Sequence, residues 1–134
     1  MTSVCLNKRG FTLIEFLVAI VILMVGMLGL LQVVNLAYST NLQNDLRNTA
    51  VVLADEEISR ELKKGYDNVI NASFRNYTVS RPMLNAMKNY SVNLTGTQIS
   101  SGTDSSKQVS VLVIWRYKKM RYDHGISAVV SKHN

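Results

Sequence analysis

The chain has 134 residues, enough for one small domain. Apolar residues make up 47%, and 15 Lys and Arg against 9 Asp and Glu leave a net charge of +6. That charge is too mild to imply nucleic acid by itself, and a lone cysteine, Cys5, excludes an intramolecular disulfide.

The apolar residues are concentrated near the amino terminus. Residues 16–31 carry no polar side chain, and residues 16–34 are interrupted only by Gln32. At 1.5 Å of rise per residue this run spans about 28 Å, close to the ~30 Å hydrocarbon core of a bilayer. A helix packed on a soluble core would show a polar face with each turn, and this one shows none before Gln32. Lys8 and Arg9 precede the run, and the next cation is Arg47. The positive-inside rule therefore places the amino terminus in the cytoplasm and the rest across the membrane, which in a bacterium is the periplasm. A cleaved secretory signal needs a shorter apolar core and a small-x-small site, and "VVNLAYST" offers no good one. The chain is read as an anchor in its first 34 residues plus one soluble domain (35–134). Cys5 lies ahead of the apolar run and receives no role.

Glu15 stands at the mouth of the apolar run. A carboxylate there is costly on insertion scales, so it marks a functional position and asks for a partner. The stretch Gly10-Phe11-Thr12-Leu13-Ile14-Glu15, with Lys8 and Arg9 before it and the apolar helix after it, resembles the prepilin-type processing and methylation motif of type IV pilins and of the pseudopilins of type II secretion. The resemblance implies that a membrane prepilin peptidase cuts between Gly10 and Phe11 and methylates the new amino group of Phe11, which divides the anchor into a leader (1–10) and a membrane helix (11–34). It further implies that the helix waits in the inner membrane until subunits are drawn into a filament.

Each position fits that role physically. Gly10 has no side chain, so the scissile bond can lie extended in a cleft. Lys8 and Arg9 hold that bond at the cytoplasmic face. After the cut Phe11 carries a cation at the end of an apolar helix, and Glu15, one turn away, can neutralise it within one chain or between neighbours. A buried charge is tolerated when paired, and such a pair fixes register.

The run Val25-Gly26-Met27-Leu28-Gly29-Leu30 carries two glycines and no proline, whereas the helix of major pilins usually carries one. The glycines weaken the helix and allow close helix contact. With "LRNTAVVLADEEISREL" following, and no disulfide possible, the chain looks most like a minor pilin of the type IV pilus modification protein (V-type) group. The minor pseudopilins are similar and stand as the alternative. Phe16 departs from the smaller residue more usual at that place. The partners implied are prepilin peptidase, other pilins or pseudopilins, and the inner membrane.

The helix is expected to continue beyond residue 35. Leu42, Leu46, Ala50, Leu53, Ile58 and Leu62 form one apolar stripe, with Asp45, Arg47, Asp55, Glu56, Arg60 and Lys63 mostly off it. Lys63-Lys64-Gly65 is a stop signal, cations at the negative helix end followed by a glycine. Residues 67–86 are read as a connector with a short strand at 77–81. Alternation then sets in: Tyr90, Val92 and Leu94 on one face, a flexible turn at "SSGTDSS", and Val109, Val111, Val113 and Trp115 on one face of a long strand. Asp123-His124-Gly125 is read as a hairpin turn, with Ile126, Ala128 and Val130 on the return strand. The expected fold is α+β: a long helix, half in lipid, whose second half lies on a three- or four-stranded antiparallel sheet, which the resemblance also implies.

Other signals are weaker. "WRYKKMRYDH" interleaves aromatics with Arg116, Lys118, Lys119 and Arg121, a pattern that can contact nucleic acid or another ligand. Alternation is taken to split Arg116 and Lys118 from Lys119 and Arg121, which favours a solvated hairpin end. His124 and His133 have no metal-ligand spacing and are read as surface residues near the turn. The Asn-x-Ser/Thr triplets at Asn71, Asn76, Asn89 and Asn93 are read as chance. No nucleophile–base pair, phosphate loop or carboxylate pair appears, so no cofactor or catalysis is expected.

Overall fold

The computed structural model describes residues 11–84, 86–100 and 105–132. Lys8, Arg9, Gly10, Cys5, His133 and most of the turn at 101–104 lie outside the described residues. The elements run α1 (Leu13–Leu62), α2 (Gly65–Asn68), β1 (Phe74–Met83), β2 (Ala86–Ser100), β3 (Ser106–Tyr117) and β4 (Met120–Ser131). The chain divides into two compact units, Met1–Asn41 and Leu42–Asn134.

In the first unit α1 is apolar around its whole circumference. An 18-residue window reaches a mean hydropathy of 2.8 with none of it buried within the chain. Such a surface is long and apolar enough to cross a bilayer. Gly26 and Gly29 have open space where a side chain would stand, so no packing among the described residues requires them.

In the second unit the character of α1 changes. Leu46, Ala50, Leu53, Ala54 and Ile58 are buried, and Leu42 and Leu62 pack at the margins. This is the expected stripe, completed by Ala54, Glu57 and Glu61. Ala50 and Ala54, at zero exposure, let the helix approach the sheet closely. Gly65, in the left-handed region at φ 75°, ends the helical path where the two lysines and the glycine predict it.

Four antiparallel strands form one sheet in the order β1-β2-β3-β4. Its inner face carries Tyr90, Val92 and Leu94 of β2 and Val109, Val111, Val113 and Trp115 of β3, all buried beneath α1. The residues between them point to the opposite face, where Ser110 and Ser127 meet at 2.9 Å between hydroxyls. One buried face and one polar face give the alternation from which strands are read.

Two expectations are corrected. β1 is a full strand of 10 residues, pairing from Phe74↔Thr95 to Met83↔Ala86, where only 77–81 was expected. Its inner face carries Tyr77, Val79 and Met83, which pack on the core, together with Arg75 and Arg81, which pair with acids on α1. The β3–β4 turn is Lys118-Lys119, with Tyr117↔Met120 closing it, and Asp123-His124-Gly125 lies within β4. Asp-x-Gly is turn chemistry, but here Gly125 sits opposite Leu112, whose Cδ1 would be 3.4 Å from an added Cβ. His124 is therefore mid-strand and half-buried opposite Val113, away from any turn. Lys118 (φ 47°) and Lys119 (φ 68°) adopt the left-handed conformation that a two-residue hairpin loop demands.

Candidate functional site

The first turn of α1 is built by Thr12 and Glu15. The Thr12 amide donates to Glu15 Oε2 at 2.8 Å, and the Thr12 hydroxyl donates to the same oxygen at 2.9 Å. The Glu15 amide donates back to Thr12 Oγ1 at 3.3 Å. This reciprocal arrangement is a capping box, and it satisfies amide groups that a helix start otherwise leaves open. It was readable from Thr12-Leu13-Ile14-Glu15, a T-x-x-E pattern, although the acid drew attention for its cost in lipid. The helix ladder begins at once, with the Phe16 amide on the Thr12 carbonyl at 3.2 Å.

The carboxylate is thus held by the Thr12 amide and hydroxyl at the start of the helix. Both bonds land on Oε2, and Oε1 has no partner among the described residues. Phe11 precedes the cap and is 78% exposed. Ile14, Val18, Ala19 and Ile22 flank Glu15 on a shallow apolar surface.

The cations singled out from the sequence are arranged differently from the expectation. Arg116 pairs directly with Arg121 across β3 and β4, which puts both on one face, the outer one. Lys118 and Lys119 form the turn and belong to neither face. The split onto opposite faces fails because the turn lies between Lys118 and Lys119: reversing direction there brings positions 116 and 121 into register.

Two buried acids were not anticipated. Glu61, 3% exposed, accepts from the Ile70 amide at 3.4 Å and Arg75 at 3.4 Å, and is also bonded by Lys64. Glu57, 5% exposed, is bridged by Arg60 at 2.6 Å and takes the Tyr77 hydroxyl hydrogen bond. Both lie on the buried stripe at helical spacing from Leu53, Ala54 and Ile58, which is the signal that could have found them. They tie α1 to β1 and to the segment before it, a structural use of paired charge.

No curated protein and no solved structure matches the chain. Residues 5–31 match the family model of the prokaryotic N-terminal methylation motif, so the chain carries a type IV pilin-like leader joined to an α+β domain.

Proposed function

We propose that the protein is a minor pilin, cut between Gly10 and Phe11 by prepilin peptidase, methylated on Phe11, and drawn from the inner membrane into a type IV pilus. The observation that carries this reading is the position of Glu15. Its carboxylate is fixed on the Thr12 amide, one residue from the bond to be cut. Cleavage creates an ammonium at Phe11, and Oε1 is the oxygen left to receive it, from the same chain or from a neighbour. In lipid both ions need that pairing, so the contact becomes a register device for assembly.

The methylation motif supports a pilin- or pseudopilin-like protein alike. A minor pseudopilin of type II secretion is the alternative, and a tip-presented adhesin or nucleic-acid-binding module is the alternative of another class. Intact-mass measurement of the chain from membranes tests processing: the expected product begins at Phe11 and carries one methyl group. A chain beginning at Met1, or cut after the apolar run, overturns the reading. Glu15→Val is expected to be processed normally and to fail in assembly. Normal filaments in that variant would show the ion pair to be irrelevant. Deletion of the gene separates the classes: loss of filaments indicates assembly, loss of secretion with normal pili indicates a pseudopilin, and intact filaments without adhesion or DNA uptake indicate a binding module.

A further inference from the structure

Two hairpin tips lie at one end of the second unit. The β1–β2 tip, closed by Met83↔Ala86, carries Leu84, Met87 and Lys88. The β3–β4 tip, closed by Tyr117↔Met120, carries Arg116, Lys118, Lys119, Met120 and Arg121. The inner-face residues next to these tips fix which end this is. Tyr90 donates from its hydroxyl to the Leu46 carbonyl at 3.3 Å, and Trp115 lies beside Tyr90 and stacks on Tyr122. The opposite end of the sheet meets Tyr66 through Lys107 and Ile70 through Gly96. The tips are therefore at the end where α1 enters the domain, near Leu42 and Leu46. Leu42 follows Val34, the last residue of the apolar run, by eight residues of sequence.

The composition of the tips is unusual for a solvated end. Leu84, Met87 and Met120 are exposed at 69%, 66% and 56%, among cations. Leu84 holds φ at 50°, and Lys118 and Lys119 also occupy left-handed positions, where Gly, Asn or Asp would cost less. Arg116 and Arg121 face each other directly, a like-charge pair that weakens a sheet unless an anion lies between them. Among the described residues the ion pairs use Arg60, Lys64, Arg75, Arg81 and Lys132, and Lys88, Arg116, Lys119 and Arg121 take part in none of them. The acids toward this end are Glu56, bonded to Arg81 opposite Lys88, with Asp45 on α1 and Asp123 on β4.

We propose that the two tips form a membrane-surface contact, with Lys88, Arg116, Lys118, Lys119 and Arg121 taking anionic phospholipid headgroups while Leu84, Met87 and Met120 enter the interface. The inference rests on the membrane-anchored reading of residues 16–34. Mixed apolar and cationic side chains are what an anionic lipid surface retains. Held so, the domain would be docked on the bilayer before assembly and released as the helix is extracted.

The test uses the full chain, with Cys5→Ser, reconstituted in vesicles. Flotation with zwitterionic phosphatidylcholine vesicles reports the anchor separately, so failure there bears on the anchored reading and not on the tips. A fluorophore placed through Leu84→Cys, Lys119→Cys or, as the far-end control, Thr97→Cys is then exposed to a water-borne quencher. With about 30% phosphatidylglycerol, quenching at 84 and 119 should be at least fivefold weaker than at 97, the effect on the order of one cation's contribution or more. The difference should vanish in pure phosphatidylcholine, in Arg116→Gln/Arg121→Gln with an unchanged circular dichroism spectrum, and in ~1 M salt, where screening is nearly complete. Equal quenching at 84, 119 and 97 in anionic vesicles would overturn the proposal. So would protection of the tips by duplex oligonucleotide with none by lipid, which would assign the cations to nucleic acid.

Discussion

A Cβ at Gly96 would stand 2.0 Å from the Ile70 carbonyl oxygen and 2.5 Å from its carbon. Backbone presses on backbone there, because the segment after α2 crosses β2 before entering β1, and Glu61 holds that segment by the Ile70 amide. Gly96→Ala must move one of the two, and overpacking of this kind costs about 2–3 kcal/mol. Urea unfolding should show the loss, with a midpoint unchanged from the parent refuting the contact. The tyrosines add a pH dependence. Burial, reinforced by the hydrogen bond to Glu57, raises the Tyr77 hydroxyl far above its ordinary range. Burial raises Tyr90 as well, against a smaller opposing effect of its hydrogen bond with Thr49. Both phenols keep their protons in the folded state after the unfolded chain has lost them. Their contribution is therefore complete below about pH 10 and is lost as pH rises beyond it. The urea midpoint should fall above that pH, and less steeply in Tyr77→Phe; an equal decline in parent and variant would exclude Tyr77 as the cause.

At the scale of elements, periodicity carried most of the information. The helix, its break at Gly65, and the buried faces of β2 and β3 follow from apolar spacing, since tertiary burial and sequence pattern agree there. β1 was underestimated because charged Arg75 and Arg81 share its inner face with Tyr77, Val79 and Met83; the apolar three pack on the core, and the arginines pair with Glu61 and Glu56 on α1, which no local pattern reveals. The β3–β4 turn was misplaced because Lys118-Lys119 has no turn chemistry while Asp123-His124-Gly125 has it. Glu15 drew notice for its cost in lipid, whereas its bonds with Thr12 follow the T-x-x-E spacing and were not anticipated. The glycines of α1 yield a prediction at this scale. An added Cβ at Gly26 or Gly29 would meet nothing among the described residues, and each glycine weakens the helix by about 1 kcal/mol relative to alanine. Gly26→Ala/Gly29→Ala should leave or raise helix content in detergent micelles by circular dichroism. If the glycines serve close contact with neighbouring helices, the same variant should assemble poorly; filaments at parental abundance would remove that role.

For the whole molecule, the division at Asn41 and Leu42 predicts that the domain needs none of the apolar segment to fold. Every residue of the core cluster, from Leu46 to Trp115, lies in the second unit. A chain cut inside a continuous helix must, however, acquire a new start. Thr40 now donates its hydroxyl to the Leu36 carbonyl at 3.0 Å, a mid-helix bond. If residues 39–134 are expressed alone, Thr40 comes to stand where Thr12 stands in the full chain, with Gln43 three residues on in place of Glu15. Thr40-x-x-Gln43 can then close a capping box of the same form. The fragment should be soluble and unfold cooperatively, with a Tm within about 5 °C of the full chain in detergent, the shift that ~1 kcal/mol produces in a domain of this size. Thr40→Ala should cost about 1 kcal/mol in the fragment, where the threonine caps, and little in the full chain, where it does not. A fragment that fails to fold would show that turns of α1 before Ser39 contribute to the domain. An equal effect of Thr40→Ala in both chains would show that the hydroxyl acts through its mid-helix bond and that no new cap forms.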